Sequence, residues 1–279
     1  MLKQRVITAI VLILLVAATL IFLNVQQFAI VSGLFVGLAA WEWAGLSFLE
    51  KPWQKLLYAA MILACLAAVW FARSKTLYLF LLYGSVIFWL SAIVWIFTYP
   101  RYQEIWRKYK VWSLFSGFWV LVPFWSALLI LKGDLFGNTI IFFIITLIAG
   151  ADTAAYFAGK KWGNKKLIPN VSPGKTWVGL LASLVWAVVF SALYGGWSVS
   201  INSIGIFIII AISIICVLGS LIGDLFESMI KRIRGVKDSS FLLPGHGGVL
   251  DRIDSLTAAL PLFVVSLSTT YMIINWLLE

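Results

Sequence analysis

Charged side chains are scarce in this sequence. Only 11% of its 279 residues are Asp, Glu, Lys or Arg, whereas 62% are hydrophobic, and the mean hydropathy is +1.01. Apolar runs of about 20 residues recur along the chain, which is long enough for a helix to cross a bilayer. This composition excludes a water-soluble core and predicts an all-α, polytopic integral membrane protein with a single membrane domain over residues 1–279.

Cysteine is also rare. The only two, Cys65 and Cys216, fall within apolar runs, where a cysteine is usually a small buried hydrophobe. The sequence therefore gives no basis for a disulfide framework.

Nine apolar segments follow one another along the chain and predict about nine transmembrane helices. They cover residues 6–23, 28–48, 56–72, 77–99, 112–131, 138–159, 178–195, 203–230 and 250–278. The first resembles a signal peptide, but it is too long and no A-x-A-like cleavage site follows, so we expect a retained helix. The third and seventh are short, and for each a re-entrant segment is the alternative to a span.

Motifs are confined to the second part of the chain. We expect residues 1–135 to form amino-terminal helices without an identifiable motif. Residues 136–279 are expected to hold the helices and cytoplasmic loops that carry the chemistry.

The basic residues predict the orientation. Of the 21 Lys and Arg residues, only Arg73, Lys75 and Lys132 fall on the side opposite to the amino terminus. The positive-inside rule then places the amino terminus and the basic loops in the cytoplasm, and an odd number of spans places Glu279 outside. We expect a cytoplasmic (inner) membrane protein. Anionic headgroups account for one group of loop cations without any catalytic role. These are Arg101, Arg107, Lys108 and Lys110.

Six acidic residues stand within the apolar segments or at their ends. They are Glu42, Asp152, Asp224, Glu227, Asp251 and Asp254. A carboxylate at mid-membrane costs about 2.5–3.5 kcal/mol on insertion scales and is retained mainly for function. All but Glu42 fall near predicted cytoplasmic ends, so we expect them to converge at one depth.

Helical spacing places several of these acids on common faces. Asp224, Glu227, Ser228 and Lys231 recur at i, i+3, i+4 and i+7, and Asp251 and Asp254 share a second face. Opposed carboxylates near phosphates favour a bound Mg²⁺. The alternative is a structural ion-pair network among Asp251, Arg252, Asp254 and Arg232.

Residues 228–254, SMIKRIRGVKDSSFLLPGHGGVLDRID, form a polar island that holds the only histidine, His246. The island ends at a predicted helix start, where free N–H groups favour anions and Gly245, Gly247 and Gly248 permit close backbone approach. We therefore expect a phosphate at this helix start. His246 is a candidate general base, and orientation of a neighbour is its alternative role.

A second island, residues 159–176, reads GKKWGNKKLIPNVSPGKT. Its tail resembles a P-loop, but Pro169 stands where the first glycine is required and no strand is predicted before it, so we reject that motif. Ser172, Lys175 and Thr176 still precede a predicted helix, where a phosphate would meet both a helix start and a point charge.

Both islands resemble the phosphatidate cytidylyltransferases, also called CDP-diacylglycerol synthases. The family's S-x-x-K-R-x4-K-D and P-x-H-G-G-x-x-D-R-x-D patterns match Ser228, Lys231, Arg232, Lys237, Asp238, Ser240, Leu243, Pro244, His246, Gly247, Gly248, Asp251, Arg252 and Asp254. Its D-x-x-A-Y-F-x-G and S-P-x-K-T patterns match Asp152, Tyr156, Phe157, Gly159, Ser172, Pro173, Lys175 and Thr176. The resemblance covers about residues 145–260. Many members have glutamate where this chain has Val178, and Glu42 has no matched role.

The resemblance implies a magnesium-dependent reaction in which CTP and phosphatidic acid give CDP-diacylglycerol and pyrophosphate. It implies catalytic roles for Asp152, Lys175, Asp224, Lys231, Arg232, Lys237, Asp238, His246, Asp251, Arg252 and Asp254. It implies substrate binding by Ser172, Lys175, Thr176, Ser228, Ser240, Gly247 and Gly248.

Further expectations concern metals and partners. Asp224 and Asp251 are the expected Mg²⁺ ligands, whereas Asp152, Asp238 and Asp254 support them or bind a second cation. CTP, phosphatidic acid and the bilayer are the expected partners. No nucleic acid polymer is implied, and a homodimer is left open. Two other classes remain: a cation- or proton-coupled transporter and a polyprenol or dolichol kinase-like enzyme.

Overall fold

The computed structural model describes residues 2–197, 203–243 and 245–278, which form ten α-helices and one two-stranded hairpin. The helices are α1 (Leu2–Phe22), α2 (Val25–Leu46), α3 (Pro52–Ala72), α4 (Lys75–Thr98), α5 (Gln103–Lys108), α6 (Lys110–Lys132), α7 (Gly137–Trp162), α8 (Trp177–Trp197), α9 (Ser203–Arg234) and α10 (Leu250–Leu278). The hairpin consists of β1 (Lys166–Ile168) and β2 (Ser172–Thr176).

Eight helices in the described ranges are long and apolar enough to cross a membrane, and α1 adds a shorter apolar stretch, Ile10–Phe22. The predicted all-α polytopic class is therefore confirmed, and about nine spans agree with this arrangement. The short third and seventh segments are extended by the structure, since α3 and α8 each have 21 residues. At 1.5 Å per residue each is long enough to span the hydrocarbon core, so neither needs to be re-entrant.

The hairpin between α7 and α8 was not predicted. Its strands are antiparallel, with Lys166 opposite Thr176 and Ile168 opposite Ser172. The expectation that no strand precedes Lys175 is therefore wrong. The segment is lysine-rich and too short for an alternating apolar pattern, which is the signal by which sequence predicts a strand.

Aromatic rings from α2, α4 and α5 surround Phe226 of α9 near the polar end of the bundle. The ring of Phe226 is fully buried, and its centroid lies 5.5–6.2 Å from the rings of five neighbours. These are Trp43, Phe88, Trp89, Trp95 and Trp106. Phe226 stands between Asp224 and Glu227 in the sequence, so the packed rings fix the helix from which both carboxylates project.

The basic loops gather at one end of the bundle. Arg234 at the end of α9 lies 3.6 Å from Glu50 in the turn after α2, and Arg232 donates to the carbonyl of Val171 in the hairpin at 3.2 Å. Lys132 lies at the opposite end. This clustering agrees with the charge count, and the cytoplasmic orientation stays a prediction. Glu279, on which part of the topology prediction rests, lies outside the described residues.

Candidate active site

An ion pair joins the two sequence islands. The Lys175 ammonium on β2 lies 2.7 Å from the Oδ2 atom of Asp224 on α9, and Ser228 donates to the Oδ1 atom at 3.2 Å. The side chains of Lys175 and Asp224 are 23% and 30% exposed, so both remain accessible from outside the core. The hairpin thus brings a cation from one island to a carboxylate of the other.

A second, buried cluster lies between α9 and α10. Lys231 Nζ lies 2.7 Å from Asp251 Oδ1 and 3.1 Å from Glu227 Oε1, and none of the three side chains is more than 10% exposed. The two acidic faces therefore oppose each other as predicted, with a lysine between them. A buried lysine paired with carboxylates is the arrangement that offsets the cost of removing these charges from water.

Asp251 also organises the turn that precedes its own helix. Its Oδ2 atom accepts hydrogen bonds from the backbone N–H of Ser239 at 2.9 Å, from that of Gly248 at 2.8 Å, and from the Ser239 hydroxyl at 3.0 Å. A Cβ at Gly247, whose φ is +78°, would collide with the same carboxylate. Only glycine fits there, because it tolerates this φ and adds no atom.

The start of α10 is occupied by an acid from α2. Glu42 is 2% exposed, and its Oε1 atom accepts from Ser240 Oγ at 2.6 Å and Val249 N at 3.0 Å. Its Oε2 atom accepts from Leu250 N at 2.7 Å and Ser239 Oγ at 3.1 Å. The sequence predicts a phosphate at this helix start, but protein carboxylates accept the hydrogen bonds instead. The N–H groups of Val249 and Leu250 donate to Glu42, and that of Gly248 donates to Asp251. The sequence did not predict this role, because every partner of Glu42 lies more than 190 positions away.

Glu227, which shares its predicted helical face with Asp224 and Lys231, is the other acid to which the sequence assigned no site role. It is 2% exposed, and neither carboxylate oxygen accepts a hydrogen bond within the described residues, although Lys231 lies at ionic distance. Asp254 is close enough to interact electrostatically with both Glu227 and Asp224. Two carboxylates sharing one lysine, with a third nearby, leave an excess of negative charge that a cation would offset.

The predicted convergence of acids is therefore present. Asp152 on α7 interacts electrostatically with Lys175 and Asp224, and Asp254 on α10 also interacts with Asp224. Among the residues that the structure describes, no three acidic, histidine or cysteine side chains form a complete metal cage. Mg²⁺ usually takes one or two carboxylates together with substrate phosphates and water, so this donor set fits an ion completed by substrate oxygens.

The alternative ion-pair network takes a different form from the one expected. Arg232 donates to the Val171 carbonyl, and Arg252 is exposed. In the described ranges, no ion pair joins either arginine to Asp251 or Asp254. Lys231 is the ion-pair partner of Asp251, and Lys175 is that of Asp224, because both lysines project from elements that face these acids.

Several predicted residues lie away from this cluster. Lys237 and Asp238 are exposed and line a cavity of about 400 Å³, together with Lys55, Arg234 and Phe241. The two predicted residues therefore face a basic cavity beside the α2–α3 turn rather than the Lys231 cluster.

The remaining predicted residues have local partners. Thr176 is 4% exposed and accepts from Gly179 N at 3.1 Å, which makes it the N-cap of α8. Ser172 opens β2, and Ser240 donates to Glu42. The Nδ1 atom of His246 is buried and has no hydrogen-bond partner in the described ranges. Pro244, part of the predicted signature, lies outside the described residues.

Comparison with known proteins covers nearly the whole chain. The model of the Cytidylyltransferase family matches residues 3–270. A phosphatidate cytidylyltransferase of Pseudomonas aeruginosa is 40% identical over 268 residues, which is 96% of this chain and 97% of the relative. A phosphatidate cytidylyltransferase of Haemophilus influenzae is 37% identical over 284 residues, which is 94% of this chain and 97% of the relative. A phosphatidate cytidylyltransferase of Bacillus subtilis is 40% identical over 128 residues, which is 46% of this chain and 47% of the relative. A family match of this extent, over a chain whose two motif islands meet in one acidic and basic cluster, shows that the protein belongs to the Cytidylyltransferase family.

Proposed function

We propose that this protein is a phosphatidate cytidylyltransferase that converts CTP and phosphatidic acid into CDP-diacylglycerol and pyrophosphate in phospholipid biosynthesis. The observation that carries the proposal is the 2.7 Å pair between Lys175 and Asp224. It joins the two islands at one end of a membrane-spanning bundle. The family match and the names of the extended relatives support the same reaction.

The chemistry suits a site without a strong base. A phosphomonoester has a second pKa of about 6, so the phosphate of phosphatidic acid is already an anionic oxygen nucleophile near neutral pH. That oxygen attacks the α-phosphorus of CTP in line with the leaving group. A new P–O bond forms, the bond from the α-phosphorus to the bridging oxygen breaks, and pyrophosphate leaves with that electron pair. Catalysis then depends on position and charge.

The lysines supply positive charge for this transfer. Lys175 is partly exposed at the edge of the cluster, where it can contact nucleotide phosphates. Lys231 is buried and held by Asp251 and Glu227, so it contributes a fixed charge with little reorganisation. Exposed Arg252, next to Asp251, is available for the remaining phosphate oxygens, whereas Lys237 faces the separate cavity beside the α2–α3 turn.

Magnesium is part of the proposal. Asp224 and Asp251 would hold it, with Asp152 and Asp254 beside them, and the excess of carboxylates over lysines in this cluster supports a bound cation. A bound Mg²⁺ would neutralise charge on the triphosphate and on the departing pyrophosphate. A second cation near the remaining acids belongs to the same proposal.

A lipid substrate explains a nucleotidyltransferase site at the end of a helix bundle. The acyl chains can remain in the leaflet while the headgroup reaches the cluster. We place this end in the cytoplasm of an inner-membrane protein, because the basic loops lie here and CTP is cytoplasmic.

An assay with purified full-length protein, phosphatidic acid and cytidine-labelled CTP tests this function. We expect label on the lipid and one pyrophosphate per labelled lipid, with no product when polyprenol replaces phosphatidic acid. A polyprenol kinase-like enzyme would phosphorylate the polyprenol and leave cytidine in solution. A transporter would give no product and would instead move cations or protons across sealed vesicles.

A further inference from the structure

Glu42 comes from a part of the chain without a motif, yet it reaches the centre of the site. Ser239, Ser240, Val249 and Leu250 surround its carboxylate, and these two pairs, which bracket the segment 239–250, supply all four of its hydrogen-bond donors. Within the described ranges no lysine or arginine forms an ion pair with it. Its charge is stabilised by two hydroxyls, two backbone N–H groups and the positive end of the α10 dipole.

This arrangement ties α2 to the start of α10. The backbone N–H groups of Val249 and Leu250 are among those that a helix leaves unpaired at its amino terminus. Because Glu42 accepts from both, the position of α2 sets the depth at which α10 begins. Asp251 is the next residue after Leu250, so its backbone is placed by the same contact.

Ser239 links the two carboxylates directly. Its hydroxyl lies 3.1 Å from Glu42 Oε2 and 3.0 Å from Asp251 Oδ2. A hydroxyl carries one proton and donates to one acceptor at a time, but the backbone N–H of Ser239 holds Asp251 at 2.9 Å throughout. Ser239 therefore connects the two carboxylates: its N–H donates to Asp251, and its hydroxyl can donate to either acid.

Gly248 shows how tightly this junction is packed. A Cβ there would collide with the Ser239 hydroxyl and press on both carboxylate oxygens of Glu42. The segment cannot approach α2 this closely with any larger residue. Displacement of Glu42 would therefore be transmitted to the turn and from it to Asp251 and Lys231.

We propose that Glu42 is a positioning residue for cytidylyl transfer, and this role rests on the function proposed above. It fixes the segment 239–250 and, through it, the carboxylate of Asp251 and the ammonium of Lys231. Glu42 is 2% exposed, so it acts through this segment rather than by contact with a substrate.

Glu42→Gln is the decisive variant, measured on the full-length protein in lipid nanodiscs. Glutamine keeps the size but presents an NH₂ donor to a set of four donors, so at least one N–H or O–H loses its acceptor. We expect kcat to fall on the order of 10- to 100-fold, as for small displacements of a catalytic group, with KM for CTP changed by less than about threefold. Glu42→Asp, which keeps the charge, should recover part of the loss.

Hydrogen exchange gives a readout that does not depend on activity. The backbone amides of residues 239–250 should exchange at least about tenfold faster in Glu42→Gln, whereas the hairpin, residues 163–176, should be unchanged. Tyr58→Phe is the matched control. It removes one buried hydrogen bond, from Tyr58 to the Leu114 carbonyl at 2.8 Å, without touching this segment.

Two results would overturn the proposal. One is unchanged exchange at 239–250 together with an unchanged kcat in Glu42→Gln. The other is an equal loss of kcat in Tyr58→Phe at an equal loss of thermal stability, which would make Glu42 structural only. If Glu42→Gln fails to fold, Ser240→Ala removes the shortest of the four hydrogen bonds and should show the same pattern at smaller size.

Failure of the proposed function is distinguishable from failure of this role. A wild-type protein that forms no CDP-diacylglycerol would refute the function alone. In that case faster exchange in Glu42→Gln would still show that Glu42 holds the segment.

Discussion

The ammonium of Lys175 and the carboxylate of Asp224 lie 2.7 Å apart, although 49 positions separate them in the chain. Lys175 reaches this place because the β1–β2 hairpin folds back over the end of α9. The pair is partly exposed, in contrast to the buried cluster of Lys231, Asp251 and Glu227. The site therefore has an outer pair that substrate can reach and an inner cluster that holds fixed charge.

Replacement of Lys175 by alanine should lower cytidylyl transfer by about 100- to 1000-fold, the loss typical of removing one preorganised charge from a transition state. The rate of labelled lipid formation measures this. Lys160→Ala and Lys161→Ala are the controls, because both lysines lie near the same hairpin. In the structure, Lys160 lies over the ring of Tyr156 and Lys161 over the ring of Trp162. Equal, small losses of this rate in all three variants would show that the island at residues 159–176 acts only as surface charge.

Asp224→Asn and Asp251→Asn should both abolish turnover, because each removes a carboxylate from the proposed cation site. Their effects on stability should differ. Asp251 is buried and paired with Lys231, and removing one partner of such a pair costs about 3–5 kcal/mol, whereas Asp224 is partly exposed.

Thermal unfolding of both variants in the same detergent measures this difference. We expect a lower Tm only for Asp251→Asn. Asp134→Asn at the other end of the bundle should change neither turnover nor Tm appreciably, since it lies in an exposed turn. Magnesium-dependent turnover at the wild-type rate in either site variant would disprove its role as a ligand.

A methyl group at Gly248 should disrupt the site. In Gly248→Ala the new Cβ meets Ser239 and Glu42, so the turn must shift, and a shift of about 1 Å can cost on the order of 100-fold in rate. Gly174→Ala is the matched control in the hairpin, because a Cβ there meets nothing within 4 Å. The measurement is the specific activity per amount of folded protein. Similar activities of the two variants would show that the close approach at Gly248 is dispensable.

The orientation can be tested with single cysteines in a background lacking Cys65 and Cys216. Phe241, 92% exposed beside the site, and Leu135, 89% exposed in the turn between α6 and α7, lie at opposite ends of the bundle. A membrane-impermeant maleimide added to intact cells should modify Leu135→Cys and spare Phe241→Cys. After lysis both should react. Modification of Phe241→Cys before lysis would place the site outside and contradict a reaction with cytoplasmic CTP.

The amino-acid sequence was sufficient for the class of the protein and for most of its membrane segments. Runs of about 20 apolar residues carry enough hydrophobic surface to define a span without reference to any neighbour. Helical spacing was equally informative for Asp224, Ser228 and Lys231, because positions three or four apart share a face in any α-helix. The two motif islands were recognisable because their residues are close in sequence.

Other features depended on contacts between distant segments. The hairpin that presents Lys175 is too short and too polar to have a periodic signal. Glu42 was visible as an acid in a span, but its partners lie more than 190 positions away.

At the start of α10, the local sequence does not determine which anion accepts the hydrogen bonds. Its glycines and free N–H groups predicted a phosphate, yet two protein carboxylates accept those hydrogen bonds. A helix start attracts any anion that can reach it. Its local sequence therefore determined that an acid or a phosphate would bind there, and only the packing of α2 against α10 decided that the anion is Glu42.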